Sequence, residues 1–180
     1  MCSERHVKAN HKFLDTNNPT KPNSCIIYLD CNNLYGYSMC QSLPYSDFRF
    51  MSKQEIDFLQ LNLNNISDTA ENGYILEVDL IYPENLHMEP NDFPFCPEKC
   101  LPPGSKNKKL VPNLYDKYHY VIHYVHLKKC LQHGLVLKKI HRAITFKQSC
   151  YLKQYIDINT HLRQQAESTF EQDFFKLLNN

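Results

Sequence analysis

The stretch CIIYLDCNNLYG, residues 25–36, decides how the rest of the chain is interpreted. From Cys25 to Asp30 it is an apolar run with β-branched and aromatic side chains, which predicts a buried strand that ends at the aspartate. The two asparagines that follow predict a tight turn. After the turn we expect a short helix that has ended by Pro44. The sequence therefore predicts an acidic side chain on rigid backbone at the edge of a core.

An aspartate in this position is suited to hold a metal ion. The Asp30 carboxylate and the backbone carbonyl of Cys31 are hard oxygen ligands of the kind that Mg²⁺ accepts. Two-metal phosphoryl transfer needs such a carboxylate to bridge the ions. The alternative, favoured by spacing alone, is that Asp30 caps the turn and the helix that begins near Leu34.

The remaining pattern predicts an α+β fold with uneven connections. The elements expected in order are a helix around Lys53–Asn62, a strand over 73–83, a long proline-rich irregular segment over 83–116, a strand from Tyr118 that becomes a helix ending at Gly134, a strand over Leu135–Phe146, and a short helix over Cys150–Asp157. A long final helix capped by Asn159 or Thr160 follows. Its apolar stripe contains Leu162, Ala166, Phe170, Phe174 and Leu177.

The composition limits which cellular compartment and which binding partners are expected for the protein. The formal net charge is +1, and lysines crowd the second half of the chain. That half is either a solvated face or a phosphate-contacting surface. We expect no transmembrane helix and no secretory signal, and therefore an intracellular protein.

The eight cysteines are expected to be reduced thiols rather than a disulfide framework. Cys96 and Cys100 form a C-x3-C pair that could supply half of a zinc site. The alternative is that these thiols pack as small apolar groups.

The spelling from Tyr28 to Gly36 resembles motif A of family B DNA polymerases, in which an aspartate is followed by two variable residues, a small residue, leucine, tyrosine and usually proline. Asn33 and Gly36 depart from this pattern, in a way similar to the organellar, viral and transposon branch that includes protein-primed enzymes. The resemblance implies that Asp30 ligates both catalytic metals with help from the Cys31 carbonyl. It also implies that Leu34 and Tyr35 line the nucleotide site, where the Tyr35 ring excludes a 2′-hydroxyl by steric clash.

The ending FFKLLNN resembles the first half of motif B, lysine, three residues and asparagine on a fingers helix. This implies that Lys176 contacts the triphosphate and that Asn180 lies near the nucleotide. Alternatively, Lys176 compensates a helix dipole. Arg163 is a further triphosphate candidate, although on an unbroken helix it would lie about 140° round the axis from Lys176.

Longer phrases, including residues 73–87, 91–99 and 139–180, resemble polymerases of Polinton or Maverick transposons. The resemblance divides the chain into a loose lead-in (1–24), a palm segment with motif A (25–83), an insertion-like segment (84–135), a palm return (136–158) and the start of a fingers helix (159–180). The expected fold is therefore a partial palm, an antiparallel sheet with helices, plus the start of the fingers. In protein-primed relatives the insertion contacts a terminal protein and DNA.

The function implied is DNA-directed DNA synthesis, in which a nucleotidyl group passes from a dNTP to a primer 3′-hydroxyl with two Mg²⁺ ions. The partners implied are primer-template DNA, dNTP and a terminal protein, in a nuclear or virus- or transposon-associated setting. The second palm carboxylate, in the motif spelled Y-x-D-T-D-S, does not occur in this sequence, so we expect no activity from these 180 residues alone. The alternatives are a non-catalytic nucleic-acid-binding remnant and a zinc-stabilised interaction module.

Overall fold

A computed structural model describes residues 9–27, 33–87 and 94–179. The described strands are β1 (Leu43–Phe50), β2 (Asn72–Ile81), β3 (Glu98–Cys100), β4 (Lys109–Val111), β5 (Lys117–His123) and β6 (Val136–Ser149). The helices are α1 (Leu34–Met39), α2 (Lys53–Asn62), α3 (Tyr124–Gln132), α4 (Lys153–Gln165) and α5 (Thr169–Leu178), with 3₁₀ turns at Leu63–Asn65 and Glu84–His87. The α+β fold predicted from the sequence, an antiparallel sheet with helices, is confirmed.

The main sheet has four antiparallel strands in the order β1-β6-β2-β5. The long strand β6 lies inside the sheet and pairs with β1 on one side and with β2 on the other. The short strands β3 and β4 pair with each other in a separate two-stranded sheet. The sequence missed this small hairpin, which lies in the proline-rich segment that was expected to be irregular.

The alternation of β2 separates the two faces of the sheet. Leu76, Val78 and Leu80 are almost completely buried, and the carboxylates of Glu77 and Asp79 lie on the opposite face because successive side chains of a strand alternate. Helices α2 and α3 contribute Leu59 and Leu127, among other residues, to the core that covers the apolar face. Each such side chain stabilises the fold by about 1.5–3 kcal/mol through burial.

A polar contact locks the end of β6 onto this core. The fully buried Tyr124 places its hydroxyl 3.0 Å from the carbonyl oxygens of Ser67 and Asp68. The same hydroxyl accepts a hydrogen bond of 2.9 Å from the side-chain amide of Gln148. The Tyr124 hydroxyl and the Gln148 side-chain nitrogen thereby have hydrogen-bond partners inside the core, which offsets the cost of burying them.

Local sequence signals explain where two helices begin and end. Ser52 and Glu55 form a capping box at the start of α2, which satisfies otherwise unpaired N–H groups. Gly134 has a φ of 97° beyond the end of α3, a conformation that glycine adopts without a steric penalty. Both boundaries agree with the sequence prediction.

The prediction of one long final helix is wrong. Helix α4 continues through Asn159 and Thr160 to Gln165, and the hydroxyl of Thr160 donates to the Ile156 carbonyl instead of capping a new helix. Helix α4 then ends at its C-cap, Ala166. Helix α5 begins after Ser168, whose side chain forms a capping box with Glu171. Because the capping box stabilises a new helix start at this point, α5 forms as a separate helix. The expected apolar stripe is therefore divided between two helices.

The predicted strand from Cys25 to Asp30 is not found over its described part. Residues 25–27 are exposed and form no strand, with Ile26 60% and Ile27 71% accessible. None of the described strands pairs with them. Tyr28 to Asn32 lie outside the described residues.

The division of the chain into palm, insertion and fingers segments stays a prediction. Residues 84–135 supply β5 and α3 to the same sheet and core that β2 and β6 build. Over the ranges that the structure describes, no helix is long and apolar enough to cross a membrane.

Candidate nucleotide site

Helix α1 follows directly after the predicted metal-binding aspartate. Asn33 caps it with left-handed backbone, at a φ of 53°, and its side chain accepts a hydrogen bond of 3.2 Å from the Gly36 backbone N–H. A Cβ atom at position 36 would collide with the Asn33 side chain. Asn33 and Gly36, the two residues that depart from the common motif A pattern, are therefore linked structurally. The Asn33 cap leaves room only for glycine at position 36.

The first turn of α1 presents its side chains to solvent. Leu34 is 56% and Tyr35 71% exposed, whereas Gly36 is buried. The Tyr35 ring therefore does not belong to the core of the described residues.

The residues that follow α1 lie beside the residues that precede α4. The Ser42 hydroxyl is 3.5 Å from the Cys150 sulfur, and the rings of Tyr45 and Tyr151 meet edge to face with centroids 6.4 Å apart. Helix α1 itself also contacts α4. The segment that carries Tyr35 is thus attached to α4.

Helix α5 folds back on α4 and brings its last turn to the first half of that helix. The Tyr155 hydroxyl donates to the Leu178 carbonyl at 3.2 Å, and the side-chain amide of Asn179 donates to the Thr160 hydroxyl at 3.2 Å. Lys176 lies in this last turn and is exposed. It forms no ion pair with any residue that the structure describes.

The structure thus attaches two of the predicted nucleotide-binding segments, Leu34–Tyr35 and Lys176, to one helix. Arg163 is exposed in the last turn of α4. Because α4 and α5 are separate helices, the angle of about 140° between Arg163 and Lys176 on a single unbroken helix does not apply. Asp30, Cys31 and Asn180 lie outside the described residues, so their predicted roles stay predictions.

The structure places Cys96 close to Cys130 rather than to Cys100. Cys96 is buried with its sulfur 3.7 Å from that of Cys130, and His126 joins them in one group of potential metal ligands. Cys100 is not in this group, because it ends the extended strand β3, which carries it away from Cys96 at about 3.3 Å per residue. The H-x3-C spacing of His126 and Cys130, one helical turn apart, is the signal that could have found the group.

The two buried thiols perturb each other. Their shared hydrogen bond lowers the pKa of Cys130, and His126 beside it acts in the same direction. The same hydrogen bond, together with burial, raises the pKa of Cys96.

A second group of ionisable side chains was also missed, and it lies on the open face of the sheet. The rings of His119 and His141 stack with centroids 4.0 Å apart. His141 contacts Asp79 at 2.9 Å and His119 contacts Glu77 at 2.7 Å. Arg142 also pairs with Glu77 and, with His119, lowers the pKa of that carboxyl. Glu77 pairs with Arg142, and Asp79 accepts a hydrogen bond of 2.9 Å from the His119 backbone N–H. The group is therefore explained as a polar network across β2, β5 and β6.

Comparison with known proteins identifies the class of the chain. The family model described as "DNA polymerase type B, organellar and viral" matches residues 15–180, and the chain belongs to this family. No curated protein sequence matches the chain significantly.

Two solved structures are similar to parts of it, and both are of Phi29 DNA polymerase. The complex with primer-template DNA and incoming nucleotide is 18% identical, covers 84% of this chain and 24% of that chain, and has a TM-score of 0.49. The binary complex with primer-template DNA is 16% identical, with coverages of 84% and 23% and a TM-score of 0.45. The chain therefore spans about a quarter of the length of these polymerases.

Proposed function

We propose that this chain is part of a DNA-directed DNA polymerase and contributes to the site that binds the incoming deoxynucleotide. The observation that carries the proposal is the attachment of α1 and the last turn of α5 to the same helix, α4. Family membership over residues 15–180 supports it. The complete enzyme would transfer a nucleotidyl group from a dNTP to a primer 3′-hydroxyl, with release of pyrophosphate.

Tyr35 selects the sugar in this proposal. Its exposed ring, on a helix anchored by the Asn33 cap, stacks beneath the sugar of the nucleotide. A ribose 2′-hydroxyl would clash with the ring, and deoxynucleotides are thereby preferred. Leu34 lies beside it in the same exposed turn.

Lys176 binds the triphosphate in this proposal. An exposed amine without an ion-pair partner among the described residues is available to phosphate oxygens, and it stabilises the charge that develops on the leaving group. Arg163 adds a second positive charge from the end of α4, and Asn180 contacts the nucleotide from the end of α5.

Asp30 and the Cys31 carbonyl supply oxygen ligands for Mg²⁺ in this proposal. When bound, two such ions stabilise the attacking and leaving oxygens of an in-line displacement. Within the described ranges, the two groups of potential metal ligands include no residue of α1, α4 or α5. The magnesium assignment therefore depends on Asp30.

Primer-template DNA is the macromolecular partner in this proposal, and the lysines of residues 84–135 provide contacts to its phosphates or to a terminal protein primer. The long sequence phrases support an origin in a virus-like transposon of the Polinton or Maverick type. Replication of such an element places the protein in the nucleus or with the element's own particles.

Photoaffinity labelling of the 180-residue chain with an azido-dATP tests nucleotide binding. We expect Lys176→Ala to reduce labelling by about tenfold or more, since a hydrogen bond to a charged group contributes about 1.5–3 kcal/mol. Lys108→Ala, which removes an exposed lysine from the loop before β4, is the matched control and should leave labelling unchanged. Equal labelling of wild type and Lys176→Ala would contradict the proposed triphosphate contact.

Competition in the same assay tests the role of Tyr35. Unlabelled dATP should displace the probe better than ATP does, and Tyr35→Ala should bring the two competitors closer together. Tyr37→Ala, which removes a similarly exposed ring two residues later on α1, is the control. If the chain binds DNA in a salt-sensitive manner but shows no nucleotide labelling, the non-catalytic remnant is the better interpretation.

A further inference from the structure

Three side chains that the proposed polymerase function does not use converge in the sheet domain, which we define as β1, β2, β5 and β6 with α2, α3 and the segment that contains Cys96. The ligand atoms of Cys96, His126 and Cys130 all lie within 4.8 Å of one another. The two sulfur atoms are 3.7 Å apart. A tetrahedral zinc ion with Zn–S distances of about 2.3 Å places two thiolate sulfurs about 3.8 Å apart, so the separation is the one that a shared ion requires.

Two different elements hold these ligands in place. His126 and Cys130 are four residues apart on α3 and therefore share one face of that helix. Cys96 approaches from the segment before β3, with left-handed backbone at a φ of 55°. Convergence of one loop residue with an i, i+4 pair on a helix is a common way to build a metal site from side chains distant in sequence.

Hydrogen bonds on both sides of Cys96 fix its position independently of any ion. The backbone N–H of Phe95 donates to the Tyr82 hydroxyl at 3.3 Å. The Tyr120 hydroxyl donates to the Pro97 carbonyl at 3.1 Å. The ligand set is thus preorganised by the core.

The burial of the group is uneven. Cys96 and Cys130 have no accessible surface, whereas His126 is exposed. Solvent would reach an ion bound by these ligands from the side of His126, and a water molecule could supply the fourth ligand there. Two thiolates and an imidazole form a borderline-soft set that favours Zn²⁺ over Mg²⁺ or Ca²⁺.

We propose that Cys96, His126 and Cys130 bind one Zn²⁺ ion, with solvent in the fourth position. The ion ties the proline-rich segment to α3 and fixes the base of the β3–β4 hairpin, which carries Lys99 and Lys109. Its role is structural, since a cross-link between residues 30 positions apart restricts a segment with little secondary structure of its own.

Zinc content of the purified chain, kept reduced with a phosphine, tests the proposal. We expect one zinc per chain by elemental analysis, and after chelation we expect cobalt(II) to give the absorption of a tetrahedral site with thiolate charge transfer. His126→Ala should weaken zinc binding by more than about 100-fold, because the loss of even an outer partner of a ligand costs about 10- to 100-fold. Cys130→Ser should abolish the thiolate bands.

Cys100→Ser is the matched control and should bind zinc like the wild type. His126 is exposed, so its substitution by alanine tests the site even if the buried Cys130→Ser variant does not fold. Absence of stoichiometric zinc and of cobalt spectra would overturn the proposal. So would equal zinc affinity of the His126→Ala variant and the wild type, or a ligand set that includes Cys100.

Discussion

The sheet domain and the α4–α5 hairpin differ in how much of their apolar surface they bury. In the sheet domain Leu76, Val78 and Leu127 are completely buried. In α5 no residue is buried, and Phe170 and Leu177 are 78% and 69% exposed. The sheet domain therefore contains its own core, whereas α5 is held mainly by its contacts with α4, including the Tyr155 and Asn179 hydrogen bonds.

The residues that match the family motifs lie outside the well-packed sheet domain, on α1 and α5. Tyr35 and Lys176 are on short, exposed helices, and the well-packed sheet contributes neither. In the proposed function these two side chains contact the nucleotide, which side chains packed inside a core could not do.

The largest expected effect comes from truncating a core side chain. Leu127→Ala should lower the free energy of unfolding by about 2–5 kcal/mol, because it removes buried methyl groups and leaves a cavity. Leu177→Ala, the same chemical change in the exposed hairpin, should cost less than about 0.5 kcal/mol. Urea unfolding followed by circular dichroism measures both, and equal losses would contradict the contrast between the two regions.

Removal of the two capping serines sharpens the comparison. Ser52→Ala at the start of α2 and Ser168→Ala at the start of α5 each remove the same cap, which contributes about 1 kcal/mol. We expect Ser52→Ala to lower the global unfolding midpoint because α2 packs on the core. We expect Ser168→Ala to speed amide exchange in α5 with little change in the midpoint. A global loss from Ser168→Ala would show that the hairpin unfolds together with the sheet domain.

The smallest expected effect is a pH dependence. Hydrogen bonds from Arg49 and from the Ser52 backbone lower the pKa of Glu55 from 4.5 to about 2. Because the folded-state pKa is depressed, the contribution of Glu55 to stability is complete above about pH 4.5 and is lost as the pH falls toward 2. The wild type and Glu55→Gln should therefore differ in stability near neutral pH and converge in acid.

Thermal unfolding over this pH range measures the convergence. Glu167→Gln, at a position without an ion pair among the described residues, is the control and should give a curve parallel to the wild type. The effect is small because both Arg49 and Glu55 are exposed.

Local signals predicted the structure well where short-range interactions decide it. The limits of α2, the turn at Gly134 and the alternation of β2 could all be predicted from neighbouring residues. The break between α4 and α5 was missed although its S-x-x-E box is visible in the sequence, because the apolar stripe at helical spacing dominated the interpretation.

Contacts between distant residues could not be predicted in the same way. Nothing in the sequence near Cys96 indicates that Cys130 is its neighbour, since the fold of β3, β5 and α3 brings them together. The motif segments that contain Tyr35 and Lys176 could be identified from their amino-acid sequence. That both segments contact α4 could not be predicted, because it depends on how the chain folds in three dimensions.

The interior position of β6 has a consequence for the protein during its synthesis. Leu43 pairs with Ser149 and Asn72 pairs with Lys147, so β1 gains its only described partner, and β2 its second, only after residues 136–149 have been translated. Until then a nascent chain on the ribosome presents strand edges that can pair with other molecules. Chaperone protection of residues 43–81, which contain β1 and β2, would therefore matter most during translation and much less once β6 is in place.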